Sequence, residues 1–265
     1  MIPATLWLVG CGNMGGAMLR RWVEVALPPA AVTVIDPGRP QVPAGVRLLP
    51  SRPTDEPAPD ALVLAVKPQG LDEAATTWGD LEVPLLLSIL AGVDEETLRR
   101  RFAARAVVRA MPNLPVSLGR GVVALHARGA DDGARAAATA LAEPLGLAEW
   151  IAQEGQFEAV TALSGCGPGF LFRFVDALAA AGAALGLPAE QAARLAMATV
   201  EGSALLAAGA DVSPATLADR VASPGGSTRE GLNVLDHDDA LKTLLAETLR
   251  AAAARSAEMA AAARG

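Results

Sequence analysis

The stretch Thr5-Leu6-Trp7-Leu8-Val9-Gly10-Cys11-Gly12-Asn13-Met14-Gly15-Gly16 decides the fold. An apolar run of strand composition passes straight into a glycine turn and then into Met14–Val25, which has helical composition. The three glycines of the GxGxxG spacing have separate physical duties. Gly10 permits a tight turn, Gly12 lets a pyrophosphate approach the backbone, and Gly15 allows close packing of helix on strand. The diphosphate would rest on the helix N-terminus, beside Asn13 and Met14, where unpaired N–H groups and the helix dipole favour an anion. The spacing alone is a weak signal, but in strand–turn–helix context it predicts dinucleotide binding.

Outward from that turn, Val32–Asp36, Ala61–Val66, Leu85–Ile89, Val107–Arg109 and Val122–His126 are expected strands. The intervening Leu71–Trp78, Asp94–Phe102 and Ala134–Leu141 are expected crossover helices. Short continuous apolar strands alternating with helices predict an α/β, doubly wound parallel sheet of Rossmann type over residues 1–153. The proline-rich stretch Pro37–Pro59 cannot hold a long helix, so one crossover is expected to be short or irregular.

Asp36 ends the second expected strand, where a carboxylate holds the adenosine ribose 2′-hydroxyl and favours NAD. Arg39 and Arg52 follow closely enough to hold a 2′-phosphate instead, or to be solvated loop charges, so NAD and NADP both stay open. Ala65, Lys67 and Pro68 lie at the carboxyl end of the next apolar strand, where open α/β sheets bind ligands. Lys67 is either a cofactor contact or an exposed strand cap. Asn113, after Met111-Pro112, offers an amide to the nicotinamide edge or makes an Asx-type turn.

Beyond Gln153 the strand signal vanishes, and residues 154–265 read as an all-α domain broken at Gly165–Pro168, Gly186–Pro188, Gly209–Ser213 and Ser223–Ser227. Faces so uniformly Ala, Leu and Gly favour packing against a second copy, and a homodimer or higher homo-oligomer is expected. In the last break, Ser223-Pro224-Gly225-Gly226-Ser227-Thr228, two glycines and several hydroxyls precede a helix. Its N–H groups can converge on an anion such as a substrate carboxylate. The alternative is a connector in which Pro224 stops one helix and Thr228 caps the next.

The composition narrows the function further. With 265 residues, 52% hydrophobic and 19% charged, the chain has ample material for a core. A net charge of −7 and the lack of a Lys/Arg cluster argue against a nucleic-acid surface. The uncharged run Ala177–Ala189 is too short for a membrane span, and Met1–Val9 lacks the features of a signal peptide, so a cytoplasmic protein is expected. Cys11 and Cys166 have no CxxC spacing, and His126 and His237 are the only histidines, so no metal site is expected.

Taken together, Gly10–Gly16 (GCGNMGG), Ala65–Gln69 (AVKPQ), Ser88–Val93 (SILAGV), Val108–Asn113 (VRAMPN), Thr161–Pro168 (TALSGCGP) and Ser223–Leu232 (SPGGSTREGL) resemble the pyrroline-5-carboxylate reductase family. The motifs span nearly the whole chain in the family's order, and the late loop is the most specific of them. The resemblance implies a Rossmann domain, a helical dimerisation domain whose helices interleave between subunits, and NAD(P)H-dependent reduction of 1-pyrroline-5-carboxylate to L-proline, the last step of proline synthesis. It also implies that Ser223 and the amides of Ser227 and Thr228, on the backbone shaped by Gly225 and Gly226, take the substrate carboxylate. The Thr228 hydroxyl would face the ring nitrogen. The chain departs from the usual SGSGPAY at Cys166 and Phe170, losing a hydroxyl and a phenol, and it carries Arg52 where the family often has Asn.

Three other readings share part of this pattern. A β-hydroxyacid dehydrogenase needs a Lys and an Asn one helical turn apart, where this chain has Arg173 and Asp176. A related imine reductase stays open as an alternative, whereas a non-catalytic nucleotide-binding subunit would keep the Rossmann turn and lose turnover, which the intact late loop with Thr228 argues against.

Overall fold

In β1 (Leu6–Val9) successive side chains alternate between the two faces of a sheet, and every one of them is buried. The structure, a computed structural model, describes residues 1–264. In chain order, α1 (Asn13–Val25), β2 (Val32–Ile35), β3 (Arg47–Leu49), β4 (Ala61–Leu64), α2 (Leu71–Trp78), β5 (Val83–Ser88), α3 (Glu95–Arg101), β6 (Ala104–Pro112), β7 (Gly121–His126), α4 (Asp132–Ala142) and β8 (Gly146–Trp150) follow. Among the described residues they form one eight-stranded sheet of order β3-β2-β1-β4-β5-β6-β7-β8.

The period-2 alternation sorts the core into two layers. Leu6 and Leu8 of β1 and Val63 of β4 face Met18 and Trp22 of α1 and Leu141 of α4, and the Trp22 indole donates to the Leu141 carbonyl at 2.6 Å. Trp7, Val9, Leu62 and Leu64 face the other way, onto Leu71 and Trp78 of α2 and Leu98 of α3. Covering both faces with helices is what lets the central strands be continuously apolar.

The sheet departs from the sequence expectation in three ways. First, β7 runs antiparallel to β6, because residues 113–120 hold only a 3-10 turn, Leu114–Leu118, and a parallel crossover needs a longer connection. Second, β3 extends the sheet beyond β2 within the proline-rich stretch, with no helix in either connection. Third, β8 adds a parallel edge strand beside β7.

The helical elements are α5 (Phe157–Val160), α6 (Gly167–Ala184), α7 (Ala189–Ala208), α8 (Pro214–Val221), α9 (Ser227–Asp236) and α10 (Ala240–Arg264). Between α5 and α6 the chain passes through a π-helical turn, Thr161–Gly165, and the helical run is interrupted at Cys166, within the expected Gly165–Pro168 break. A break not foreseen from the sequence lies at His237–Asp239, where Asp238 and Asp239 take φ of 50° and 55°. Asp is among the few residues other than glycine that tolerate this left-handed region.

The described chain forms two compact units, one of residues Met1–Cys166 with those from Ala252 onward, the other Gly167–Ala251. Within the first, Ala260 packs on Gly92, whose φ of 78° and lack of a Cβ permit the approach. Within the second, the buried residues are Pro168, Val175, Ala192, Ala196 and Ala222. Among the described residues no helix is long and apolar enough to cross a membrane.

Candidate functional site

The glycine turn is built as its spacing demands. Gly10 takes φ 88°, its N–H donates to the Ile35 carbonyl at 3.0 Å, and a Cβ there would lie 2.8 Å from the Ala65 carbonyl oxygen. A Cβ on Gly15 would lie 2.7 Å from the Gly10 carbonyl oxygen. Gly12 differs: nothing lies within 4 Å of where its Cβ would be, and as the N-cap of α1 it brings no side chain to satisfy the first amides. Open space above a backbone that ends in uncapped N–H groups fits a dinucleotide diphosphate.

Gly10 and Gly12 open onto a cleft of about 460 Å³ at the carboxyl ends of β1, β2 and β4, where strand order reverses direction. Asp36, Arg52, Ala65 and Lys67 line the same cleft. So six of the residues singled out for the cofactor are brought together. Asn13, Met14, Gly15, Arg39 and Pro68 do not line it: Gly15 packs beneath Gly10, Arg39 is exposed with φ 48°, and Pro68 opens a 3-10 turn after Lys67.

The charged groups of the cleft are held in defined ways. Asp36 accepts from the Cys11 N–H through Oδ2 and from the Gly38 N–H through Oδ1, both at 2.8 Å, so it braces the glycine turn against its own loop. Burial, and secondarily the Asp36 charge, push the Cys11 thiol up from its ordinary value, against a smaller opposing effect of Arg20. Arg52 donates to the Thr77 carbonyl at 2.6 Å and to Asp80 at 2.5 Å, with its guanidinium 5.8 Å from the Trp78 ring. That hydrogen bond and charge hold the Asp80 carboxyl below its usual range. Lys67 is exposed.

Asn113 is placed otherwise than expected of a nicotinamide contact. It is buried, its amide donates to the Ser164 carbonyl at 3.0 Å, and its carbonyl accepts from the Val122 N–H at 2.8 Å. It therefore ties β6, β7 and the π-helical turn together, and its side chain makes no Asx turn.

Sequence reading missed Ser51, Glu73, Thr77 and Trp78 as cleft residues. Thr77 and Trp78 share a face of α2 with Ala74, a signal that helical periodicity contains. Ser51 was hidden because β3, the strand that delivers it, is three residues long.

In the second unit, the Gly226 N–H donates to the Ser223 carbonyl at 3.0 Å and Gly225 takes φ 70°. With Pro224 ahead of it, this is the pattern of a type II turn. Gly226, not Thr228, is the N-cap of α9, and a Cβ there would lie 2.6 Å from the Ser223 hydroxyl. Ser227 and Thr228 are the first two helical residues, so their N–H groups have no acceptor within the helix, and no side chain caps them. Ser223, Gly225, Ser227 and Thr228 are all exposed. The Arg229 guanidinium, 2.9 Å from Asp219, fastens α9 to α8 beside the turn. Among the described residues no group of three or more His, Cys, Asp or Glu is arranged to hold a metal ion.

Comparison with known proteins agrees with these two features. Residues 154–259 match the family model described as pyrroline-5-carboxylate reductase dimerisation. The chain is 35% identical to the pyrroline-5-carboxylate reductase of Synechocystis, covering 96% of this chain and 97% of that one. It is 34% identical to that of Pseudomonas aeruginosa over 95% of each. A solved pyrroline-5-carboxylate reductase from Coxiella burnetii superimposes with a TM-score of 0.86 at 29% identity, covering 96% of this chain and 98% of that one. With its glycine turn, its late loop and full-length identity above 30%, the chain belongs to the pyrroline-5-carboxylate reductase family.

Proposed function

We propose that the protein reduces 1-pyrroline-5-carboxylate to L-proline with NADH or NADPH, the final step of proline biosynthesis. The observation that carries this reading is the uncapped start of α9 behind the Ser223–Gly226 turn, in a chain of this family. A carboxylate accepts hydrogen bonds only, and the turn offers the Ser227 and Thr228 N–H groups and the Ser223 hydroxyl together with the helix dipole. In this reading residues 1–153 hold the cofactor, and residues 154–265 hold the substrate and dimerise.

The reaction adds a hydride to C5 of the cyclic imine and a proton to its nitrogen. The bound nicotinamide supplies the hydride. The chain's own task is to position and to exclude, and no histidine base is required. Gly12, Asn13 and Met14 take the diphosphate at the start of α1, on a turn that Gly10 makes tight and Gly15 lets pack against the strand. Asp36, Arg39, Arg52, Ala65, Lys67, Pro68 and Asn113 shape the rest of the cofactor site, Asn113 through the backbone it fixes. Ser223, Gly225, Gly226, Ser227 and Thr228 clamp the carboxylate, while the Thr228 hydroxyl faces the ring nitrogen. A hydroxyl near its ordinary pKa is a poor acid, so Thr228 positions a nitrogen that enters already protonated.

Exposed apolar side chains throughout Gly167–Ala251 support a homodimer in which this unit is covered by its counterpart. Two unpaired cysteines, Cys11 and Cys166, accord with a reducing cytoplasm. The test is to add pyrroline-5-carboxylate and follow NAD(P)H absorbance. Substrate-dependent decay is expected, and binding of NAD(P)H without decay at any pH would instead mark a nucleotide-binding subunit.

A further inference from the structure

The cleft carries an asymmetry of charge that bears on which nicotinamide it takes. NADPH differs from NADH by a phosphate on the adenosine ribose, an acceptor-only dianion, so the group beside the ribose decides the choice. Asp36 ends β2 on this side of the cleft, and its carboxylate cannot turn away: one oxygen holds the Cys11 N–H and the other the Gly38 N–H, each at 2.8 Å. Each oxygen keeps a lone pair for a further donor. A ribose hydroxyl can donate to it, whereas a phosphate has no proton to give and meets a fixed like charge.

The cations that would reverse this choice are otherwise engaged or elsewhere. Arg52, delivered by β3 next to β2, has its charge paired with Asp80 at 2.5 Å and shares the same amino group with the Thr77 carbonyl. Its Nε is buried, with no hydrogen-bond partner, on the side away from solvent, which leaves the guanidinium a flat surface against Trp78. Arg39 is exposed and does not line the cleft. Lys67 follows β4, two strand positions from β2 across β1, about 10 Å away, and so attends another part of the cofactor. Glu73 on α2 adds a second acidic group to the lining.

We infer that the braced Asp36 carboxylate makes the protein selective for NADH, with the Arg52–Asp80 pair serving as a neutral platform for the adenosine half rather than as a reader of a 2′-phosphate. This rests on the cofactor role given to the cleft above. A dianion beside a carboxylate that forms no salt bridge weakens binding by roughly tenfold to a hundredfold.

Direct titration of the purified full chain with NADH and with NADPH, read by nucleotide fluorescence without substrate, tests it. NADH is expected to bind at least about tenfold more tightly. Arg52→Gln is expected to weaken both nucleotides by the same factor, and Asp36→Asn to move the ratio toward NADPH. Equal or tighter binding of NADPH, or an Arg52→Gln effect confined to NADPH, overturns the inference. Should Asp36→Asn fail to fold, the wild-type ratio and the Arg52→Gln pair decide it alone. Failure of both nucleotides to bind would instead overturn the cofactor reading beneath it.

Discussion

In residues 1–166, Leu6, Leu8, Trp22, Leu64, Leu86 and Leu125 are 0% exposed, and two apolar layers close over the faces of one sheet. In Gly167–Ala251, Phe172 is 59%, Leu185 90%, Leu206 68% and Val234 72% exposed, and what is buried is mostly alanine. The first unit has a core of its own; the second has the apolar material of a core without the partner surface to complete it. Burial contributes about 25 cal/mol per Å² of apolar surface, so a unit this open is stabilised mainly when another surface covers it. Under the proposed homodimer, a sheet unit with its own core and a helical unit covered by a second copy would respond differently to the same kind of substitution.

The largest expected effects come from the two kinds of apolar residue. Phe172→Asp, at an exposed position of the single chain, is expected to cost about 3–5 kcal/mol by placing an uncompensated charge in the interface of the proposed homodimer. Light scattering should then show the mass of one chain, with nucleotide binding retained; an unchanged dimer would break the comparison. Trp22→Ala removes a fully buried indole and its bond to Leu141, and is expected to cost about 3–5 kcal/mol in the first unit, read by chemical denaturation. Its effect should be independent of protein concentration at native conditions, unlike that of Phe172→Asp.

Within the first unit the glycine turn sharpens the contrast between structure and function. Gly12→Ala meets open space and should leave stability within about 0.5 kcal/mol of the parent while weakening nucleotide binding, because the new methyl group occupies the diphosphate's approach. Gly10→Ala should lower both, since its Cβ strikes the Ala65 carbonyl. In the second unit Thr228→Ala removes an exposed hydroxyl, so stability should hold and kcat/KM should fall by roughly tenfold or more, the worth of one hydrogen bond to a charged group. An unchanged kcat/KM would remove Thr228 from the mechanism.

The smallest expected effect is a dependence on acid. Burial would raise the Glu154 carboxyl, but the Glu95 N–H, the hydrogen bond from Arg109 and the charges of Arg109 and Arg128 outweigh it, and the group is held below its ordinary value. A depressed folded-state pKa means stability fully present above the unfolded value near 4.5 and lost as pH falls through the folded one. Glu154→Gln should flatten the acid limb of stability against pH, measured by urea unfolding between pH 6 and about 3.

Much of the first unit was legible because its signals are local. The glycine turn, α1, α2 and the apolar strands each announce themselves within a few residues. The antiparallel β7 was not, since strand direction depends on the length of the Asn113–Arg120 connection rather than on strand composition. The edge strands β3 and β8 escaped because they are short and only half-buried, which removes the continuous apolar pattern. In the second unit the helix breaks at Gly186, Gly209 and Ser223 were readable from glycine and proline, whereas the break at Asp238 rests on a tolerance for left-handed backbone that sequence shows weakly. The site residues divide in the same way. Gly10, Gly12, Asp36 and Lys67 were found from their place at strand ends, but that Asp36 braces a turn and Asn113 serves as a strut depends on contacts distant in sequence.

The proposed reaction transfers a hydride to C5 of a cyclic imine held by its carboxylate. Its most direct test is incubation with 1-pyrroline-5-carboxylate and nicotinamide cofactor dideuterated at C4, followed by mass spectrometry of the product. L-proline carrying one deuterium at C5, formed in equal amount to the cofactor oxidised, is the expected result. Oxidation of the cofactor without labelled proline, or no turnover although the nucleotide binds, would contradict it.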